Sequence, residues 1–404
     1  MSNLASIYQK KTDKQHILDN PDTYIGSVEN VEGSHWILKD NKIIQEDMEF
    51  LPGLYKLFDE GIVNCRDHVI RMDQKIIDEP NGNHHPVMNI DINIQEDGTI
   101  SMYNDGNGID VAKHPEYDIW IPEMIFGHLR TSTNYNKDEK KIVGGKNGFG
   151  FKLVLIWSSC GSIETIDHVR KLKYTQSFED NLNIIHPPKI TKCSSKPYTR
   201  ITFKPDYKRF EIDGLTQHMR ELLTKRVYDI SAVTRKNLKV KLNNEILSVK
   251  AFPQYVELYL NGSSKIHDDS NHRWEYIVGL TPNDEFNQVS FVNGIYTSKG
   301  GKHVDYIIQQ ITKKMIAYIE KKKKVLVNAA SIKEQLFLFL RCDIENPAFD
   351  SQTKDYMNTP ISKFGSSCVV NDKFIDKLAK LGVMDAACAI HEVKENKAAK
   401  KNDG

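Results

Sequence analysis

Strand pairs interleaved with helices, without a regular strand-helix alternation, predict an α+β protein whose larger, N-terminal part is a two-layer sandwich. Three stretches carry that expectation. Ile90, Ile92 and Ile94 alternate with Asp91, Asn93 and Gln95 in a half-buried strand, and Asp97-Gly98 turns the chain into a second strand, Thr99 to Tyr103, making an antiparallel hairpin. Leu54, Leu57, Phe58, Ile62 and Val69 form an apolar stripe at helical spacing from Pro52 to about Met72. Leu153-Val154-Leu155-Ile156-Trp157 reads as a buried helix that follows a glycine-rich loop.

The 404 residues leave room for two or three domains with substantial cores. Lys and Arg number 55 against 54 Asp and Glu, so no global basic field advertises nucleic acid, and any such surface must be local. Six cysteines, Cys65, Cys160, Cys193, Cys342, Cys368 and Cys388, contain no Cys-x-x-Cys pair, which argues against a zinc site and a disulfide framework. The start of the chain lacks the apolar core of a signal peptide, and no apolar run approaches a membrane span. A soluble protein of a reducing intracellular compartment is expected.

In chain order, Leu4 to Tyr24 is polar, ends in Pro21-Asp22-Thr23-Tyr24-Ile25-Gly26, and reads as an arm laid over something else, by default a flexible terminus. The Pro52 helix follows, with Glu60 and Asn64 one turn apart at the edge of its stripe and Asp67 a turn further. Beyond the hairpin come Asn104-Asp105-Gly106-Asn107-Gly108, a hydroxyl- and amide-rich cluster Thr131-Ser132-Thr133-Asn134, and the glycine loop. Strand-like segments span Lys171 to Phe178, Thr199 to Pro205 and Leu238 to Leu247, with a helix from Gly214 to about Val233. A second unit is expected from Ser248 to about Val393, smaller and also α+β. There Val289 to Val292 reads as a strand, His303 to Lys324 as a long amphipathic helix ending in four lysines, and Gln335 to Cys342 as a buried strand. Strand, long helix and strand suggest a right-handed crossover. A last helix, about Asn371 to Val393, should run out into a linker or disordered tail, residues 394–404.

The loop Gly144-Gly145-Lys146-Asn147-Gly148-Phe149-Gly150-Phe151-Lys152 leaves backbone N–H groups uncovered at a helix start, which suits phosphate. It is not a P-loop, because Phe151 separates Gly150 from Lys152 and no Ser or Thr follows; a metal ion would have to be held from elsewhere. Each of these signals has an ordinary counterpart: a mobile turn, a solvated helix edge, a tight Asp-Gly turn, a polar lid. Their order is that of a Mg²⁺–ATP site, in which an amide oxygen completes the metal's shell and a carboxylate one helical turn away orients the attacking water.

Phe58-Asp59-Glu60-Gly61-Ile62-Val63-Asn64, Asn104 to Gly108 and Gly145 to Lys152 resemble the nucleotide boxes of the gyrase, heat-shock chaperone, histidine kinase and mismatch-repair (GHKL) ATPases. Three further stretches narrow the resemblance to the ATPase region, nucleotide-binding plus transducer domains, of eukaryotic-type type II DNA topoisomerases. They are Pro21 to Glu29, Ser298-Lys299-Gly300-Gly301-Lys302-His303-Val304-Asp305, and Glu345-Asn346-Pro347-Ala348-Phe349-Asp350-Ser351-Gln352-Thr353-Lys354. The resemblance runs from about Ile7 to the final helix and implies a GHKL domain over residues 1–247 and a transducer domain over 248–393. It makes Glu60 the general base and Asn64 the Mg²⁺ ligand. Asp105, beside Gly106 and Gly108, would receive the adenine amino group, with Thr199 assisting through water. Ser132, Thr133 and Asn134 would line ribose and phosphates, and Lys146, Asn147, Gly148, Phe149, Gly150 and Lys152 would cradle the phosphates. Gln352 and Lys354 would reach the γ-phosphate, and Tyr8 the partner's pocket. Eukaryotic members often carry an amide where this chain has Asp105, and the carboxylate is the gyrase-like choice.

The implied function is an ATP-operated dimerisation gate that closes and reopens around duplex DNA. Lys321, Lys322, Lys323 and Lys324 are candidate DNA contacts, although cations are also at home on any helix C-terminus. No acidic cleavage module is found, so DNA breakage would fall to a cleavage core elsewhere in the enzyme. The compartment implied is the nucleus, or the host cytoplasm or virion for a viral source. A chaperone or mismatch-repair ATPase is the nearest rival, and a clamp that binds ATP without hydrolysing it is a different class of reading. Gln352-Thr353-Lys354 and Ser298 to Asp305 argue against the first, Glu60 against the second.

Overall fold

The computed structural model describes residues 12–129 and 150–402, the side chains of 398–402 excepted. Its chain divides into two units between Tyr255 and Val256. The stretch expected to be a flexible arm is helical from its first described residues. Thr12 caps α1 (Asp13–Asp19) by accepting Gln15 N–H at 3.2 Å, Ile17 is buried, and a short α2 (Pro21–Tyr24) follows. A local cap and one buried isoleucine order a sequence that composition alone marks as polar. Next comes a hairpin with no counterpart in the sequence reading, β1 (Val31–Lys39) and β2 (Lys42–Phe50). Its two-residue turn, Asp40-Asn41, takes positive φ at both positions (51° and 59°), the geometry that matches the strand twist.

The helix expected from Pro52 runs further than its stripe, as α3 (Pro52–Asp78). The other strands of this unit are β3 (Asn89–Ile94), β4 (Ile100–Asp105), β5 (Ser158–Asp167), β6 (Leu172–Glu179), β7 (Ile184–Ile185), β8 (Lys189–Lys192), β9 (Tyr198–Pro205), β10 (Lys239–Leu242) and β11 (Glu245–Ile246). They form one sheet in the order β11-β10-β3-β4-β9-β5-β6, with β7 and β8 both pairing with β6. Neighbours are antiparallel except β10 beside β3. Three helices make the second layer. α3 lies on β4, α5 (Gly150–Ile156) lies on β5 and β9, and α6 (Gln217–Ala232) packs beside α3. A further helix, α4 (Ile121–Gly127), packs against α5. The expected burial of the α5 run is observed: Phe151 to Ile156 are all buried.

The second unit holds a sheet in the order β12 (Lys265–Asn271), β13 (Trp274–Leu280), β16 (Leu336–Cys342), β14 (Asn287–Val292), β15 (Ile295–Tyr296). α7 (Phe252–Leu260) carries the chain from the first unit into it. β14 and β16 are parallel neighbours joined through α8 (Lys302–Lys323), so the strand–helix–strand crossover is present. Val304, Ile308, Ile311, Met315 and Ile319 of α8 all enter the core, and α9 (Ala329–Lys333) leads into β16. The helix expected at the end breaks at Gly382, φ 128°, into α10 (Asp372–Leu378) and α11 (Met384–Asn402). The tail therefore continues as helix to Asn402 instead of running out near Val393. Ala, Lys and Glu dominate it, and these are strong helix formers. No described helix is long and apolar enough to cross a membrane.

Ion pairs inside the first unit tie the helix layer together. Arg226 Nε donates to Asp59 Oδ1 at 2.8 Å, Lys225 Nζ donates to Asp229 Oδ2 at 3.1 Å, and Tyr255 donates to Asp229 Oδ1 at 2.6 Å. Every member is buried. Removing one partner of such a set strands the other charge in a low-dielectric interior. Arg226→Ala is expected to cost about 3–5 kcal/mol in chemical denaturation; a loss below about 1 kcal/mol, the surface-pair range, would show that Asp59 finds solvent or another cation.

Candidate nucleotide site

α3 carries three buried carboxylates, Asp59, Glu60 and Asp67. Glu60 is only 8% exposed, so it is not the solvated edge residue its position permits. Lys56, one turn back and itself buried, pairs with Glu60 Oε1 at 2.7 Å and fixes that side chain's rotamer. Asn64, one turn forward, donates from Nδ2 to the Glu60 carbonyl at 2.8 Å, which leaves its Oδ1 as the atom able to meet a ligand. Gly150, at the start of α5, closes against this pair: a Cβ there would overlap Glu60 Oε2 and lie 3.9 Å from Asn64 Nδ2. Two other carboxylates on α3 are engaged elsewhere, Asp59 by Arg226 and Asp67, 0% exposed, beside Arg66 at 3.8 Å.

The sheet offers the opposite wall. In the pleat of β4, Ile100, Met102 and Asn104 point toward the helices, since Met102 touches Gly61 of α3, while Tyr103 and Asp105 point the other way. The register sets Asn104 opposite Thr199 of β9 and Thr199 opposite Thr165 of β5, a polar row across three strands. Thr165 Oγ1 lies 3.0 Å from Thr199 Oγ1 and accepts Ile109 N–H at 3.0 Å. Asn104 donates from Nδ2 to the Asp105 carbonyl at 2.9 Å, leaving Oδ1 to accept from a ligand.

Asp105, expected to receive the adenine amino group, has both carboxylate oxygens engaged by the chain leading into β3. Its Oδ1 accepts Met88 N–H at 2.7 Å and Asn89 N–H at 2.9 Å, and its Oδ2 accepts the Asn89 amide at 2.6 Å. The carboxylate holds the strand entering β3 and faces away from α3. The residue before it, Asn104, is an amide on the helix-facing side of β4.

The glycines beyond it serve close approach. A Cβ on Gly108 would sit inside the Ile166 carbonyl oxygen, and Gly106 takes φ 92° beside His68. His68 of α3 donates from Nε2 to the Asn107 carbonyl at 3.0 Å, and burial, reinforced by the Arg71 charge, pushes its pKa down to about 4, so it donates as a neutral ring. α3 thus touches β4 at Gly61–Met102 and the following loop at His68–Asn107. Asn64 and Asn104 fall between those two points on their respective elements. Lys152 is buried, and desolvation pushes its pKa down to about 8.

Tyr8, Ser132, Thr133, Asn134, Lys146, Asn147, Gly148 and Phe149 lie outside the described residues. Gln352 and Lys354 belong to the second unit, on a loop that follows β16, where Lys354 takes φ 61°. Lys321 to Lys324 are exposed at the end of α8. Sequence reasoning missed Asn104, Thr165 and Lys56. The first two follow from strand parity and register, and the third from its four-residue spacing to Glu60. Among the described residues no group of three His, Cys, Asp or Glu could hold a metal by itself.

A family model described as DNA gyrase B matches residues 220–403. DNA topoisomerase 2 of Arabidopsis thaliana is 42% identical over 99% of this chain, and DNA topoisomerase 2 of Acanthamoeba polyphaga mimivirus is 42% identical over 98%. The chain spans 27% and 31% of those two relatives. The solved ATPase region of Saccharomyces cerevisiae topoisomerase II superposes with a TM-score of 0.88 at 41% identity, covering 96% of this chain and 100% of that one. At that identity, over the whole of a solved ATPase region, likeness of fold is also kinship, and the chain belongs to the ATPase region of the type II DNA topoisomerase family.

Proposed function

We propose that the first unit binds Mg²⁺–ATP between α3 and β4 and hydrolyses it, and that this turnover opens and closes a homodimeric gate for duplex DNA. The observation that carries the reading is the meeting of Glu60, Asn64 and Gly150 on one side, with the Asn104–Thr199–Thr165 row on the facing wall. Asn104 Oδ1, rather than Asp105, accepts the adenine amino group, and Thr199 with Thr165 assists through water. Asn64 Oδ1 suits a hard cation because its amide nitrogen is already committed to Glu60 O, and the remaining oxygens would come from phosphates and water. When bound, Mg²⁺ offsets charge on the phosphate oxygens.

Glu60, steadied by Lys56, takes a proton from the water that attacks the γ-phosphorus, and the bond to the β-phosphate oxygen breaks. Lys152 and the backbone of Lys146 to Gly150 hold the phosphates, with Ser132, Thr133 and Asn134 around the ribose. Gln352 and Lys354 meet the γ-phosphate from the second unit and lose their strongest partner when it leaves, which makes that loop a sensor of ATP against ADP. The second unit is read as the transducer, and DNA cleavage belongs to a core outside this chain.

Glu60→Ala should lower steady-state phosphate release by about a hundredfold to ten-thousandfold while ATP binding persists. Asn64→Ala should instead weaken Mg²⁺-dependent binding. Near-normal turnover without Glu60, or unchanged affinity without Asn64, would reassign those roles.

Asn104→Ala is expected to reduce discrimination of ATP over GTP in competition binding by about tenfold, the worth of one buried hydrogen bond. Asp105→Asn should leave that discrimination in place. The reverse pattern would return adenine recognition to Asp105.

For the assembly, size measurement with and without a non-hydrolysable ATP analogue should show dimers only with the analogue, and deletion of residues 1–20, which carry Tyr8, should abolish them. A truncated chain that still dimerises fully removes the arm from the gate. Replacing Lys321 to Lys324 by Ala should weaken duplex DNA binding and flatten its salt dependence; unchanged binding makes them a solvated helix end.

A further inference from the structure

The loop that carries Gln352 and Lys354 is tied down at both ends within the second unit. At its start, buried Asn293 donates from Nδ2 to the Ile344 carbonyl at 2.9 Å and accepts Ile344 N–H at 2.8 Å. At its end, Met357 N–H donates to Gly300 O at 3.1 Å, Lys302 N–H to Met357 O at 2.9 Å, and Lys299 N–H to Asp355 O at 3.0 Å. Gly301, at φ 146°, lets those backbones close, because a Cβ there would collide with the backbone of Met357. The placement of Lys354 therefore depends on the turn Ser298 to Gly301.

Under that turn runs a chain of polar side chains shut off from water. His303, Thr297 and Ser290 are each 0% exposed. His303 Nε2 lies 3.2 Å from Thr297 Oγ1, Thr297 Oγ1 lies 2.6 Å from Ser290 Oγ, and Ser290 donates to Gln288 Oε1 at 2.6 Å. Gln288 Nε2 then donates to the carbonyls of Thr297 and Ser298 at 3.3 Å and 3.0 Å, where the chain enters the turn Ser298 to Gly301. The Thr297 hydroxyl has two acceptors in reach, Ser290 Oγ at 2.6 Å and the Ser290 carbonyl at 3.0 Å; donation to the nearer Oγ continues from His303 through Thr297 and Ser290 to Gln288 and gives each side-chain donor along that path an acceptor. It leaves His303 Nδ1 as a bare lone pair, and that atom has no hydrogen-bond partner among the described residues. The other tautomer would bury an unpaired N–H, the costlier alternative. Burial also pushes the imidazole pKa down to about 3, so the ring stays neutral and the direction of donation holds at neutral pH.

We propose that His303 is a positioning residue for ATP hydrolysis: its Nε2–H, acting through Thr297, Ser290 and Gln288, fixes the Gly300–Gly301 turn and so holds Lys354 where the γ-phosphate arrives. The proposal rests on the reading of Lys354 as a γ-phosphate contact. A merely structural histidine would influence stability alone. A positioning one alters the rate while ATP still binds, because initial binding uses the first unit and only the reacting geometry uses this loop.

The test is steady-state hydrolysis and analogue binding by the whole chain. His303→Leu removes the donor, His303→Gln returns an N–H at similar reach, and Thr297→Val cuts the chain at constant shape with His303 intact. His303→Leu and Thr297→Val should each lower kcat by about tenfold or more with KM little changed, and His303→Gln should recover most of the rate. The double variant His303→Leu/Lys354→Ala should be no slower than Lys354→Ala alone. Wild-type kcat in Thr297→Val, or losses from His303→Leu and Lys354→Ala that multiply, would overturn the proposal. If His303→Leu does not fold, Thr297→Val and its double with Lys354→Ala decide in the same way. Wild-type turnover by Lys354→Ala would remove the reading beneath it and the proposal together, whereas slow Lys354→Ala beside a fast Thr297→Val rejects the His303 role only.

Discussion

A helix that carries charge into a protein interior must meet countercharge there, and α3 does so along most of its first half. Lys56, Asp59, Glu60, Arg66 and Asp67 are all buried. Lys56 is paired with Glu60, and Asp59 is neutralised by Arg226 of a neighbouring helix. An isolated ion in such a place would cost several kcal/mol. The paired set is tolerable, and it has a directional result. Because Asp59 is turned toward α6 and held there, the next carboxylate, Glu60, is set on the side of the helix where Gly150 begins α5. The chemistry of the site is thus fixed by a packing problem solved one residue away.

Much of the architecture was legible because its signals are local. The stripe of α3, the Asp97-Gly98 turn between β3 and β4, and the apolar face of α8 each announce themselves within a few residues. What escaped has physical causes. The β1–β2 turn uses Asp40-Asn41, which reaches positive φ without a glycine to advertise it. β5 follows α5 after a single residue, Trp157, so no loop marks the change from helix to strand. The C-terminal tail reads as a linker by composition, yet its Ala, Lys and Glu residues prefer helix.

The site was legible in part for the same reason. Glu60 and Asn64 need only helical spacing to be recognised as one face. Asn104 and Asp105 are adjacent, and only the pleat decides which of them turns inward. That decision depends on Met102 packing against Gly61, which sits some forty residues away in sequence; a motif of letters does not carry it. In the second unit, Ser298 to Asp305 and Glu345 to Lys354 were separate diagnostic stretches. The structure shows why they occur together: Gly300 and Gly301 are the seat on which the later loop rests.

The strand order has a consequence for how the protein is made. β4 pairs with β3, its neighbour in sequence, on one side and with β9 on the other, and β3 is completed by β10. A ribosome releasing the chain from its N-terminus therefore exposes a β3–β4 hairpin with two open edges until Tyr198 to Pro205, and then Lys239 to Leu242, have emerged. Closing loops of that length is slow, and an uncovered edge is a template for pairing with other chains. The polar row of Asn104, Thr199 and Thr165 cannot exist before β9 arrives, so during synthesis no nucleotide can shelter that hairpin through this row. Shelter must come from α3, which leaves the ribosome before either strand and can cover the inner face while the edges wait.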